Sequence, residues 1–439
     1  MNFKKYFETA KELNFEDIEF KVVENKTLSI EVFHKKVEKY NVSENSTLYI
    51  RGIINGNMVS ASTENFANVT QLLKEMASDS LLIEDKVAQE IFEGSKKYSK
   101  FKTYNDALEK TSPSKKIDLC LLAEEKAFNY DKKIKEVSGV HYSEAVKSEK
   151  IINSKGLKLA YKTNYAYVYL DVVAKENQDT RTGGMYQLFN NLDDVNIDNI
   201  VNKACSDAIN SLNGTPCDSK KYKVLFAPDV FASLLNKCLI SISGDNVNKN
   251  RSLLKDKLNQ VIASKKLTVI EDPHCKKFPY FYRSFDDEGV ATSKKAIIDK
   301  GVLKTFLYNI EAAKSANTTS TGNGYGGSQI GVDTSFVYVK PSKKTVDDLL
   351  KSINNGIQIT DVAGLHSGLN TISGDFSLQA SGFRIENGKI TTPVNLITIA
   401  GNLFDLLKNV VDVGNDSFLA LNGTLTPSVV VKNVAVSGK

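Results

Sequence analysis

The 439 residues carry 41% apolar and 25% charged side chains, which excludes a disordered or collagen-like chain, and the length calls for two or three domains rather than one core. The net charge of +5 is a mild excess, and arginine, whose planar fork suits phosphate and guanine, stands only at Arg51, Arg181, Arg251, Arg283 and Arg384. Direct nucleic-acid binding is therefore not expected. In chain order, Phe3, Phe7, Ala10 and Leu13 predict an amphipathic helix over Met1–Leu13 rather than a signal-peptide core. Leu28–Val42 and Thr47–Ser60 read as strands of a small antiparallel sheet, the second broken by the hairpin signal Asn55-Gly56. Phe66, Val69, Leu72, Leu73 and Met76 recur at helical spacing over Glu64–Asp79, with cap candidates in Ser62–Asn65.

A polar connector at 95–116 precedes a helix at Ile117–Tyr130. Strands follow across Ile134–Ala174, where Tyr165, Tyr167 and Tyr169 alternate with Ala166, Val168 and Leu170. Ile197–Leu212 reads as a helix. The breaker-rich Asn213-Gly214-Thr215-Pro216 then sets a boundary, giving a 1–217 part (two subdomains, about 1–95 and 110–217) and a 218–439 part. The second part opens with strand Tyr222–Phe226 and helix Pro228–Ser241, continues in short strands interrupted by helix Thr345–Asn354, and closes on strand Ser428–Val436. Strands and helices rarely alternate here, so the class is α+β: an N-terminal α/β domain with a small antiparallel sheet plus helices, and a C-terminal domain of mixed, largely antiparallel sheet. No apolar run reaches the roughly 20 residues that span a bilayer, and the five cysteines form no CxxC pair. A cytoplasmic protein with reduced thiols and no membrane partner is expected.

The four histidines, His34, His141, His274 and His366, fall in no HExxH or HExxxH motif, so no single helix can supply two imidazoles and a general-base glutamate to zinc. Asp272, His274 and Cys275 are too close in sequence to converge on one ion unaided, and a polar turn is expected there. Asp286-Asp287-Glu288-Gly289 offers oxygen ligands for a hard cation, but a solvated turn is the expectation. The run Ser320–Gly327 has the glycines of a phosphate cradle without the GK[ST] ending. Close backbone approach to a ligand and a flexible loop both remain open for it. No G-x-S-x-G elbow exists.

Several ordered segments carry a resemblance. They are Ser284–Val290, Gly301-Val302-Leu303 with Phe306-Leu307-Tyr308, Ser320–Asn323, Gly364–Asn370, Gly374-Asp375-Phe376-Ser377, Ile385–Gly388, Pro393-Val394, Ala400–Leu403 and Val413–Asp416. Weaker collinear matches lie at Tyr49–Gly52 and Ser154–Leu157. Together they resemble the TldD/PmbA family, in which a TldD-type chain carries a zinc-binding HExxxH helix and a PmbA-type (TldE) partner lacks it. Aligned after strand Tyr222–Phe226, the first histidine of that motif falls at Asn236, the glutamate at Lys237 and the last histidine at Ser241, and the cysteine expected near the C-terminus is replaced within Leu421–Pro427. A lysine ammonium repels Zn²⁺, and amide and hydroxyl groups are not its usual ligands.

The resemblance thus implies a chain with no catalytic residue, metal or cofactor of its own. It would pair with a zinc-binding TldD-like subunit to enclose a chamber where small or unfolded peptides are degraded or matured. The alternative is a homodimeric or higher homo-oligomeric peptide-binding scaffold without proteolytic activity. The family's link to DNA gyrase modulation is read as indirect. Asp286, Asp287, Glu288, Asn323, His366, Asp375 and Asn402 are the polar motif residues that could line the chamber, against a purely local role in Asx-type turns.

Overall fold

The computed structural model describes residues 2–83 and 89–439. Helix α1 (Phe3–Glu12) leads into three strands, β1 (Asp17–Phe33), β2 (Lys36–Ile54) and β3 (Asn57–Thr63), and then helix α2 (Val69–Asp79). Two further helices, α3 (Asp106–Lys110) and α4 (Pro113–Phe128), precede β4 (Ile134–Asn153), β5 (Lys158–Glu176) and β6 (Asp179–Phe189), and α5 (Ile197–Asn210) ends this half. The strands form one antiparallel sheet in the order β3-β2-β1-β4-β5-β6. The strand expected at Leu28–Val42 is in fact the tip of the β1–β2 hairpin. His34 (φ 50°) and Lys35 (φ 60°) adopt the left-handed turn there, a conformation that Asn and Gly would have advertised and these residue types do not.

Side chains alternate across a strand, and the even-numbered face of this sheet carries both cores. Toward one end Phe20, Leu48 and Ile50 pack with Ala10 of α1 and Leu73 and Met76 of α2. Toward the other, Ile30, Tyr142, Val168 and Leu170 pack with Cys120 and Ala123 of α4 and Ala204 and Ala208 of α5. Pro113 opens α4 at its first turn, where its missing N–H costs nothing.

The second half begins with β7 (Lys220–Phe226) and α6 (Pro228–Ile240). Its main sheet runs Lys389–Asn402, Asp375–Glu386, Gly356–Ala363, β7, Val429–Ser437 and Val410–Val413, and the pairing of Lys389–Asn402 with Val429–Ser437 closes it on itself. Only Gly356–Ala363 and β7 run parallel within it. A second six-stranded sheet of short strands includes Val269–Glu271 and Thr424–Thr426. Phe231, Leu234 and Leu235 of α6 are buried in one continuous core with residues of both sheets. Thr345 and Asp348 form a reciprocal capping box at the helix Val346–Ile353, within the span read as helical from the sequence. The chain is α+β throughout, in the sense read from the sequence.

Candidate functional site

The α6 helix turns Asn236 toward a polar cavity of about 320 Å³ that is also lined by Ser243, Asp245, Asn246, Asp333 and Asn422. Thr424 Oγ1 donates to Asn236 Oδ1 at 2.6 Å. The Leu421–Pro427 stretch therefore does fold onto the first zinc-motif position, but as a hydroxyl bonded to an amide. Ser241 lies just beyond the helix, is 1% exposed, and donates to the Thr371 carbonyl at 3.2 Å. Its hydroxyl is thus held against backbone. Amide, ammonium and two hydroxyls do not make a zinc donor set, and among the described residues no group of three or more His, Cys, Asp or Glu side chains could hold a metal ion. The residues here do not fit the metal.

The acidic turn is not solvated. Asp286, Asp287 and Glu288 are 0%, 6% and 4% exposed, and the turn is inserted between the two halves of the molecule. The odd-numbered face of the N-terminal sheet supplies the counter-charges that distant sequence could not reveal. Lys21 Nζ reaches Asp287 at 2.9 Å, and Arg51 joins Glu19 at 2.6 Å to Glu288 at 3.4 Å. Arg283 lies 2.7 Å from Asp287 and 3.0 Å from Glu149. Asp286 instead accepts backbone N–H groups: Glu288 at 3.0 Å, Val290 at 2.9 Å and Gly324 at 2.8 Å. Burial, followed by the neighbouring Glu288 charge, pushes its carboxyl well above the ordinary range despite those donors. Burial raises Glu288 too, against the opposing pull of Arg51.

The glycine-rich run resolves accordingly. Its close backbone approach is to these carboxylates: Gly324 N meets Asp286, and Gly326 N meets Asp287 at 2.9 Å. A Cβ on residue 324 would stand 2.5 Å from Glu288 Oε2. Asn323, fully buried, donates to Glu271 at 2.9 Å and to the Asp333 carbonyl at 2.8 Å, and accepts from Lys295 at 3.1 Å. Asn323 and the acidic turn are thus brought together.

The other motif residues lie elsewhere. His366 is exposed on the turn after Gly356–Ala363. Asn402 caps the helix Leu403–Lys408 through Phe404 N at 3.0 Å and donates to exposed Asp375 at 2.9 Å. Hydrogen bonds from Asn402 and Ser373 lower the Asp375 carboxyl. Asp272 and His274 form a polar turn, with Asp272 paired to Lys294 at 2.7 Å and His274 Nε2 between Ser99 and Thr292 at 2.9 and 3.1 Å. Sequence reading gave no role to Lys21, Arg51, Glu149 or Arg283. The available signal was a single arginine inside the apolar stretch Leu48–Ile54, since a charge on a buried strand calls for a partner.

A closed β-sheet half joined through buried ion pairs to a long antiparallel sheet defines a two-part α+β protein whose metal-helix position holds no metal donors. Residues 219–438 match the PmbA/TldA metallopeptidase C-terminal domain, 106–212 the central domain and 19–81 domain 1, and the chain belongs to the PmbA/TldD metallopeptidase family. It is 31% identical over 323 residues to a metalloprotease PmbA homolog of Buchnera aphidicola, spanning 73% of this chain and 70% of that protein. To metalloprotease PmbA of Escherichia coli O157:H7 it is 31% identical over 309 residues, 70% and 66% of the two chains. The crystal structure of a putative modulator of a DNA gyrase from Thermotoga maritima superposes with a TM-score of 0.91 at 31% identity over 99% of each chain. TldE from Thermococcus kodakarensis shares the fold at a TM-score of 0.92, with 23% identity over both whole chains. None of the described helices is long and apolar enough to cross a membrane.

Proposed function

We propose that this chain is a non-catalytic subunit of a TldD/PmbA-type peptidase, acting on small or unfolded peptides with a zinc-binding TldD-like chain as partner. The observation that carries this reading is the Asn236–Thr424 hydrogen bond. Asn236, where the resemblance places the first zinc ligand, touches Thr424 of the Leu421–Pro427 stretch that stands in place of the expected cysteine, and the atoms that meet are an amide oxygen and a hydroxyl. Lys237 on the next position would oppose a dication, and Ser241 is engaged by backbone. In this reading zinc belongs to the partner, and this chain contributes walls and peptide contacts.

The test is zinc content and hydrolysis of an unfolded peptide by the purified chain, alone and after mixing with a TldD-like chain of the same genome. Zinc and turnover confined to the mixture support the reading. Stoichiometric zinc with turnover by this chain alone overturns it. Peptide binding without any gain on mixing would instead favour a homo-oligomeric scaffold.

A further inference from the structure

The even-numbered face of the N-terminal sheet is covered by α1 and α2 at one end and by α4 and α5 at the other. Between these layers the sheet is open. The floor of the gap consists of two cross-strand rows, Val22–Lys150–Ala160 and Glu24–Ser148–Lys162, running over β1, β4 and β5. This cavity, of about 500 Å³, shares Ala160, Tyr161 and Lys162 with a second of about 570 Å³ walled by the 98–104 segment, so the two make one cleft. That wall is fixed to β5: Thr103 Oγ1 donates to the Lys162 carbonyl, and Asn105 N donates to Asn164 Oδ1 at 2.8 Å.

The cleft is cationic. Lys100, Lys102, Lys150 and Lys162 line it with Glu24 and Glu149, and Glu149 is paired with Arg283 at 3.0 Å and Lys147 at 2.5 Å. The ammonium of Lys150 sits 5.6 Å from the Phe3 ring centroid and that of Lys162 3.7 Å from the Tyr104 centroid. An aromatic face orients a cation without cancelling its charge. The nearby Glu109 is bonded to Tyr104 and to Lys26 at 3.3 Å.

We infer that this cleft binds an extended acidic peptide segment. Lys150 lies directly opposite Ala160, which makes Lys162 its diagonal neighbour, about 7–8 Å away. Acidic side chains two residues apart on an extended strand are separated by about 7 Å. Alternating carboxylates therefore meet the two lysines in step, while the intervening side chains point away from the floor toward solvent. A continuous polyphosphate backbone would have to pass Glu24, whereas a peptide can place a neutral residue there. The inference depends on the subunit reading only in taking a peptide as the ligand.

The test is a fluorescence-anisotropy titration of the full chain with a labelled peptide of about ten residues alternating glutamate and alanine, at low salt. Saturable binding is expected. It should weaken at least tenfold in Lys150→Glu/Lys162→Glu and be unchanged in Lys220→Glu/Lys221→Glu, a pair of exposed lysines outside the cleft. All four positions are exposed, and circular dichroism verifies that each variant is folded. Absence of saturable binding, equal weakening in both variants, or tighter binding of a single-stranded oligonucleotide than of the peptide would each overturn the inference. Zinc uptake and hydrolysis of a neutral peptide by the mixed subunits are measured on wild type and on Lys220→Glu/Lys221→Glu, which should be equal whatever the titration gives, and this separates failure of this site from failure of the subunit reading.

Discussion

Arg51 on β2 and Glu288 on the C-terminal half face each other across the junction of the molecule, Nη1 to Oε1 at 3.4 Å, with Glu19 2.6 Å away on the other side of the guanidinium. All three are buried. Removing the cation leaves two buried carboxylates without their counter-charge, so Arg51→Ala should lose about 3–5 kcal/mol of stability, as for other buried ion pairs broken on one side. Arg51→Lys should recover part of this, because an ammonium restores charge but not the fork. Urea unfolding of the full chain measures both. A loss below about 1 kcal/mol, the range of a surface pair, would show that the two halves are not coupled here.

The acidic turn gives stability an unusual pH dependence. Asp286 and Glu288 have raised carboxyl pKa values in the folded chain, so from the ordinary carboxylate range near pH 4 upward the folded state binds more protons than the unfolded one. Stability must then fall as pH rises through that window. Asp286→Asn removes one of the two titrations. The variant should show a shallower decline in urea midpoint from pH 5 to pH 8 than wild type, and an unchanged slope would refute the assignment.

Glu149 acts with the opposite sign. Burial pushes its carboxyl up, but the Arg283 guanidinium, with Lys147 and Lys21, holds it below the usual range. Its contribution is present above the ordinary glutamate value near pH 4.3 and is lost as pH falls toward the folded value. Glu149→Gln should flatten the acid limb of the stability curve below about pH 4 and leave the limb above pH 5 parallel to that of wild type.

These effects mark the limit of what the sequence could say. Helical spacing located α1, α2 and α5 because each buries one face of its own local pattern, whereas α6 and the closing strand are buried more fully, Val429, Val430 and Val431 all lying in the interior. The β1–β2 tip was misplaced because His34 and Lys35 take a left-handed turn without Asn or Gly. The acidic turn read as solvated because three carboxylates in a row look soluble until Lys21, Arg51 and Arg283 are brought to them from remote positions. The shared motif residues were visible as a set, yet only part of that set converges. Asn323 joins the acidic turn through Gly324, whereas Asp375 and Asn402 pair with each other across the ends of two neighbouring strands elsewhere.

Gly324 is the position where backbone and charge leave least room. Its N–H is 2.8 Å from Asp286, and a Cβ would come within 2.5 Å of Glu288 Oε2. Glu288 cannot simply swing away, because its Oε2 also accepts from Ile310 N at 2.8 Å. Gly324→Ala should therefore cost about 1–3 kcal/mol, the usual price of overpacking. The loss should be smaller in an Arg51→Ala background, where Glu288 is already released. A double-mutant cycle by urea unfolding would show this coupling, and strict additivity would place the strain elsewhere.

The Asn236–Thr424 contact allows the absence of a metal to be tested by gain rather than loss. Thr424→Ala removes the donor to Asn236 Oδ1, but Asn236 lines an accessible polar cavity in which water can replace it, so the cost should stay at about 0.5–1.5 kcal/mol. Asn236→His with Thr424→Cys would place an imidazole and a thiolate where the amide and hydroxyl now meet. Two ligands are still too few for a tetrahedral site. Lys237 remains beside them, and Ser241 is held to the Thr371 carbonyl at 3.2 Å. The double variant should therefore retain no stoichiometric zinc after dialysis, as measured by atomic emission. If it does retain one equivalent, Asp245 or Asp333 of the same cavity must complete the set, and the pocket would be a metal cradle needing only two substitutions to load.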